Sequence, residues 1–268
     1  MKLKHKSLVL LSKKGLPAKQ LEAELDEPVE LSLELFKAQG LELVKRDDKY
    51  YYATVFTDLD EAEFCIVDIE TNGSKPEKHQ IIEIGAVKIR NKTIIDTFES
   101  LVQCDNISEH ITAITGICED ETLHAPPLKA VMERFSLFLD CAVFVAHDVK
   151  FDYSFISAMM QRVGLQPLLN RSLCTIDIAE RTIASYRYGL AYLNEQLGLY
   201  EEATHHRALS DAITTTKLFK RSLNHLPHEI KSAEDLVRFS KEAKRLKRPK
   251  LPVDDKKTDN KKMEKERE

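Results

Sequence analysis

Phe64-Cys65-Ile66-Val67-Asp68-Ile69-Glu70-Thr71 reads as a buried strand that carries two acids near its end. Side chains alternate along a strand, so Asp68 and Glu70 project from one face. Two carboxylates side by side at the end of an apolar strand repel each other and lose hydration, at a cost on the order of several kcal/mol if nothing compensates them. A divalent cation removes that cost. The run continues into Thr71-Asn72-Gly73-Ser74, which is turn-forming, so a strand end spilling into a polar loop explains this pair equally well when the segment stands alone.

Working outward, Ile81 to Arg90 and Thr93 to Val102 are apolar or β-branched runs that continue the strand pattern, and Val143 to Ala146 is a further short strand. Pro127 to Leu139, Phe151 to Val163, Leu173 to Ile183, Leu190 to Leu197 and Ala208 to Leu223 have helical spacing. A strand meander followed by alternating units predicts an α/β domain over residues 61–226, with a mixed sheet flanked by helices.

Two more segments bear on chemistry. In Val143-Phe144-Val145-Ala146-His147-Asp148-Val149-Lys150-Phe151-Asp152 a short strand runs into a helix. Asp148 is well placed as its N-cap, and Asp152 falls in the first or second turn, near the strand end. An acid there also suits the helix dipole and needs no ligand. In His205-His206-Arg207-Ala208-Leu209-Ser210-Asp211-Ala212, Asp211 shares a helix flank with Ala208, Thr215 and Leu218. His206 precedes Asp211 by five residues, which on a continuous helix turns the two side chains apart, so a shared site requires His206 to sit in the preceding loop. A loop histidine suits a general base. Alone, the HHR cluster reads as a surface turn.

Taken in order and spacing, Asp-x-Glu-Thr, His-x-x-x-Phe-Asp and His-Arg-Ala-x-x-Asp-Ala resemble the DEDDh (DnaQ-like) 3′→5′ exonuclease family, as in the epsilon proofreading subunit of bacterial DNA polymerase III. Ile81-Ile82-Glu83-Ile84-Gly85-Ala86-Val87, Ile114-Thr115-Gly116-Ile117 and Gly189-Leu190-Ala191-Tyr192-Leu193 extend the likeness over about Glu61 to Leu223. The resemblance implies a ribonuclease H-like domain in which Asp68, Glu70, Asp152 and Asp211 hold two Mg²⁺ or Mn²⁺ ions and His206 is the base. The implied substrate is the 3′ end of single-stranded or mismatched DNA, cleaved to 5′-mononucleotides, with Ile69, Thr71 and Asp148 beside the terminal nucleotide. The second motif usually reads His-Asn; here it is His147-Asp148, and an ionised Asp cannot donate hydrogen bonds as an amide does. RNA 3′-end trimming, and a catalytically silent docking or nucleic-acid-binding subunit, remain the alternatives.

Residues 1–60 have another texture. Leu8 to Lys13, Ala18 to Leu25 and Val29 to Gln39 are helical patterns closed by Gly40, and Leu41 to Lys45 and Tyr50 to Val55 flank the turn Arg46-Asp47-Asp48-Lys49. This predicts a small winged-helix-like module. Its Glu22, Glu24, Asp26, Glu27, Glu30 and Glu34 repel phosphates, which favours protein docking or plain structural support over DNA reading. Residues 227–268 are expected to form a helix and a charged, disordered tail. The module or the tail is the expected attachment to a DNA polymerase subunit.

The chain has 268 residues, a formal net charge of -4 and 43% hydrophobic residues. That length buries a full core, and the charge gives no global attraction to polyanions, so nucleic-acid contact must rely on local cations or bound metal. The five cysteines are widely spaced and never form CxxC, which predicts buried thiols. No apolar run approaches the roughly 20 residues of a membrane span, and the start lacks a secretory cleavage pattern, so a cytoplasmic protein with no membrane partner is expected.

Overall fold

The computed structural model of the protein describes residues 3–204 and 206–249. The N-terminal module contains α1 (His5–Leu11), β1 (Leu16–Pro17), α2 (Ala18–Glu22), α3 (Val29–Ala38), β2 (Leu43–Arg46) and β3 (Lys49–Tyr52). Its strands form a three-stranded antiparallel sheet in the order β1-β3-β2. The hairpin turn uses Asp47 and Asp48, both at positive φ, the conformation that tight hairpins need and that Asp tolerates. Leu11, Leu16, Leu21, Phe36 and Tyr52 close a separate small core. The two-residue strand β1 was invisible in the sequence because it carries no alternation.

The central sheet has the order β6-β5-β4-β7-β8. It is built from β4 (Phe64–Thr71), β5 (Ile81–Arg90) and β6 (Thr93–Leu101), then β7 (Val143–Ala146) and β8 (Ser172–Cys174). The first three are antiparallel; β4, β7 and β8 run parallel. The helices are α4 (Glu109–Thr115), α5 (Glu119–Leu123), α6 (Leu128–Leu139), α7 (Val149–Arg162), α8 (Thr175–Thr182), α9 (Leu190–Leu197), α10 (Ala208–Leu223) and α11 (Ala233–Glu242). One sheet face buries Val67, Ile69 and Ile84 against Phe135 of α6 and Phe155 and Met159 of α7. The other buries Phe64, Ile66 and Val87 against Ala212 and Phe219 of α10 and Leu236 of α11. Expectation and structure differ at Leu173 to Ile183. Ser172 to Cys174 pairs with β7 as the fifth strand, with Leu173 fully buried, and the helix starts only at Thr175. Three residues are too few for strand periodicity to show beside an amphipathic helix.

The module is joined to the amino ends of the parallel strands. The Leu169 N–H donates to the Gln39 carbonyl at 2.8 Å, and Gly40 lies so close to Asn170 that any side chain there would collide. Arg171 donates to Glu234 through Nε at 2.9 Å and Nη2 at 2.6 Å, Thr54 donates to the same carboxylate at 2.8 Å, and the Arg171 guanidinium lies 4.3 Å from the Tyr52 ring centre. Asp68 and Glu70 lie toward the opposite, carboxyl end of β4. Of the expected charged tail, residues 250–268 lie outside the described residues; ahead of them Arg245 and Arg248 pair with Glu180 of α8. Among the described residues no helix is long and apolar enough to cross a membrane. All five cysteines are free, Cys65 and Cys104 being buried.

Glu234 is 2% exposed at its side chain and Arg171 22%. Glu234→Ala strands a largely buried cation and should lower unfolding free energy by about 3 kcal/mol in a urea titration. A loss below about 1 kcal/mol would mean that the module is not held by this pair.

Candidate active site

Strand register places the acids. Asp68 pairs with Gly85 and Glu70 with Glu83 across the β4–β5 ladder, so all four positions face α10. Gly85 lets that helix touch the sheet: a Cβ there would lie 2.1 Å from the backbone nitrogen of Leu209 and 2.2 Å from the carbonyl carbon of Ala208. The contact delivers Asp211, in the first turn of α10 and 8% exposed. Asp152 comes from the first turn of α7 and is 4% exposed.

Asp68 lies within electrostatic reach of the other three carboxylates. Burial pushes the Asp68 carboxyl well above its usual range, and the charges of Asp152, Asp211 and Glu70 add to the rise. Glu70 is pushed up to about 7, first by burial and then by Asp211 and Glu83, with Arg207 pulling the other way. Asp152 is raised to about 8 by burial; Asp148 and Glu70 reinforce this, while its own backbone N–H and that of Ile69 oppose it.

His206 lies in the turn before α10, at φ 62°, and is exposed. Its backbone N–H donates to Asp211 Oδ2 at 2.9 Å. Ligand atoms of Glu70, His206 and Asp211 all lie within 4.8 Å of one another, so the condition set by the five-residue spacing is met.

The remaining expected residues are placed less uniformly. Thr71 is half-buried at the site's edge. Ile69 is only 6% exposed and packs into the α6–α7 core, so its side chain has little surface to offer a nucleotide. Asp148 occupies the N-cap position of α7, but at φ 72° and ψ 63° its side chain makes no capping bond, contrary to the cap expected from sequence. A left-handed residue swings its carboxylate away from the first-turn N–H groups; being exposed, Asp148 acts on Asp152 through its charge instead. His147 is a structural strut, its ring contacting Thr175 Oγ1 at 2.9 Å and the Tyr188 carbonyl at 2.7 Å.

Two groups near the site had no assigned role in the sequence reading. Glu83 is 1% exposed and accepts from Arg207 and from the Ala208 N–H. A lone acid in Ile81-Ile82-Glu83-Ile84-Gly85 was the available signal, since a buried carboxylate in an apolar strand demands a partner. Phe151, read as an apolar member of its helix, is 37% exposed one residue before Asp152, with its ring 5.5 Å from Phe155.

An oxygen-rich donor set with one imidazole and no thiolate suits a hard divalent cation. The raised carboxyls mark the same need, because the nearby Arg207 is already paired with Glu83.

A mixed sheet flanked by helices, with acids from β4, α7 and α10 at its carboxyl end and a loop histidine beside them, defines a DnaQ-like nuclease. Residues 65–219 match the RNase_T exonuclease family, and the chain belongs to that family. It is a nuclease hydrolase, of a family that depends on divalent metal ions. Among similar proteins are DNA polymerase III PolC-type of Caldanaerobacter subterraneus subsp. tengcongensis, 39% identical over 179 residues (66% of this chain, 13% of that protein), and of Staphylococcus haemolyticus, 34% identical over 170 residues (63% and 12%). The chain thus spans about an eighth of the length of these relatives. Exonuclease X in complex with 5′ overhanging duplex DNA superposes with a TM-score of 0.51 at 25% identity, covering 66% of this chain and 99% of that one. E. coli Exonuclease I in complex with a dA16 oligonucleotide gives 0.56 at 19% identity, covering 62% and 42%, a likeness of fold.

The raised carboxyls set a pH dependence. Their folded pKa lies above the unfolded value near 4, so between these values the folded state binds more protons and stability falls as pH rises. His147, lowered by burial, works the other way, but only up to its unfolded value near 6.5. With chelator present, stability should therefore drop by on the order of 1 to 2 kcal/mol between about pH 7 and about pH 8.5. Millimolar Mg²⁺ or Mn²⁺ should raise the thermal midpoint more at the upper pH. A metal-free midpoint that climbs over this interval contradicts the raised carboxyls.

Proposed function

We propose that this chain hydrolyses the terminal phosphodiester bond at the 3′ end of single-stranded or mismatched DNA and releases 5′-mononucleotides, in proofreading or repair. The observation that carries the reading is the meeting of Asp68, Glu70, Asp152 and Asp211 from three distant segments, with the His206 ring within 4.8 Å of ligand atoms of Glu70 and Asp211. Similarity to PolC-type polymerases and to exonucleases whose structures hold DNA favours a DNA end over an RNA end.

Asp68, Glu70, Asp152 and Asp211 would hold two Mg²⁺ or Mn²⁺ ions, which when bound supply the positive charge that orients the scissile phosphate and stabilises the leaving 3′ oxygen. The exposed position of His206 gives its ring access to a water. His206 takes a proton from that water as its oxygen attacks phosphorus; the bond from phosphorus to the 3′ oxygen of the penultimate nucleotide breaks, that oxygen takes up a proton from solvent, and the phosphate stays on the 5′ oxygen of the released nucleotide. Phe151 offers a ring face for stacking a base, while Thr71 and Asp148 border the terminal nucleotide. With a carboxylate in place of an amide, Asp148 has no N–H to donate and repels phosphate, which favours contact with sugar or base edges.

The N-terminal module, at the far end of the sheet and acidic over α2 and α3, serves as a protein-docking element, for which a DNA polymerase subunit is the fitting partner. The residues after α11 offer a second attachment.

The test is degradation of 3′-labelled and 5′-labelled single strands, mismatched duplex and RNA of matched sequence. Mononucleotides should appear from the 3′ label first and from DNA faster than from RNA. Asp68→Ala and Asp211→Ala should abolish release, and His206→Ala should slow it by about 10² to 10⁴ fold. Release from the 5′ end, or wild-type turnover in Asp68→Ala, would refute the mechanism; faster RNA digestion would transfer the same chemistry to RNA ends.

A further inference from the structure

The base lies on an exposed turn ahead of its helix, and hydrogen bonds on either side of it tie that turn down. Asp211 belongs to α10, a helix of 16 residues whose Ala212, Thr215, Leu218 and Phe219 are all buried, so its position rests on extensive packing. His206 precedes that helix and is exposed, in a left-handed conformation that is uncommon for a non-glycine residue. Three contacts hold the segment around it. The Thr204 N–H donates to Ser210 Oγ at 2.9 Å and the His206 N–H to Asp211 at 2.9 Å, which fold the loop back over the first helical turn. The third is at Arg207, the residue between His206 and the helix. Its Nη2 donates to Glu83 Oε1 at 2.7 Å and its Nε lies 3.2 and 3.3 Å from the two carboxylate oxygens, while Glu83 Oε2 accepts the Ala208 N–H at 2.8 Å. One buried carboxylate on β5 thus grips both residues that follow the base.

We propose that Glu83 is a positioning residue for His206. It fixes the Arg207–Ala208 joint against the sheet, and so sets where the His206 ring stands relative to Glu70 and Asp211. The inference rests on the exonuclease reading above and deepens it. A carboxylate is required because it alone can accept from the guanidinium and the helix N–H together in charge-assisted form. An amide at position 83 must turn its NH₂ toward one of two donors. Gly85 keeps the joint within reach, since a Cβ there would force Ala208 and Leu209 off the strand.

The experiment is a double-mutant cycle on full-length protein, with single-stranded DNA and saturating Mg²⁺, using Glu83→Gln, His206→Ala and the pair. Glu83→Gln should lower kcat by about 10 to 100 fold, as loss of an orienting outer partner does, with KM changed by less than about threefold. In the His206→Ala background the same change should cost less than about threefold, because the group it positions is gone. Full additivity would overturn the proposal, as would wild-type kcat in Glu83→Gln. Should Glu83→Gln fail to fold, Arg207→Lys, at a side chain 39% exposed, replaces it. Lysine keeps the charge but not the fork, and the same kcat loss and the same non-additivity are expected, their absence counting against the proposal. If the unmodified chain releases no nucleotide with any metal, the exonuclease reading fails; an active wild type with an inert Glu83 fails this inference alone.

Discussion

Negative charge concentrated in a partly dehydrated pocket is the constraint on which this structure turns. Burial and neighbouring carboxylates raise the protonation of Asp68, Glu70 and Asp152, and Arg207, a cation acting on Glu70, is spent on Glu83. Folding therefore creates a deficit of positive charge at the end of the central strand, and hydrophobic burial on both sheet faces must outweigh it. Such an arrangement has no merit as scaffolding. It makes sense as a place where cations complete the protein.

Close approach of backbone to backbone makes that concentration geometrically attainable. Gly85 sits opposite Asp68 in the ladder and beneath the first residues of α10. With no side chain in the way, the helix start lies on the sheet, and a carboxylate one turn along reaches the strand acids. Glu83, two residues earlier on the same face, then takes the Ala208 N–H. Successive positions on one face of a strand thus contribute contact and anchorage to the same helix terminus.

Much of this could be read from residue order. The alternation around Asp68 and Glu70 gave their shared face, and the five-residue separation of His206 from Asp211 required a loop that the structure provides, with α10 starting at Ala208 as the periodicity indicated. Local pattern was blind to elements whose existence depends on distant partners. Leu16–Pro17 and Ser172–Cys174 are strands only because β3 and β7 lie beside them. Asp148 shows the opposite failure: residue type and position favoured a cap, but its left-handed backbone, fixed by the sharp exit from β7, directs the carboxylate elsewhere. Glu83 was conspicuous in sequence, yet its partner was identifiable only once β5 and α10 were brought together.

The division of the chain follows from strand direction. Parallel strands β4, β7 and β8 present their carboxyl ends to the site and their amino ends to the N-terminal module, where Arg171, Glu234, Thr54 and Tyr52 form one connected polar and aromatic cluster. The acids are therefore separated from the module by the depth of the sheet. An acidic surface near the catalytic pocket would repel the phosphates it must admit; at the opposite end it does so without obstructing entry. The acidic stretch from Glu22 to Glu34, unhelpful for binding DNA, is compatible with catalysis because of where the fold puts it.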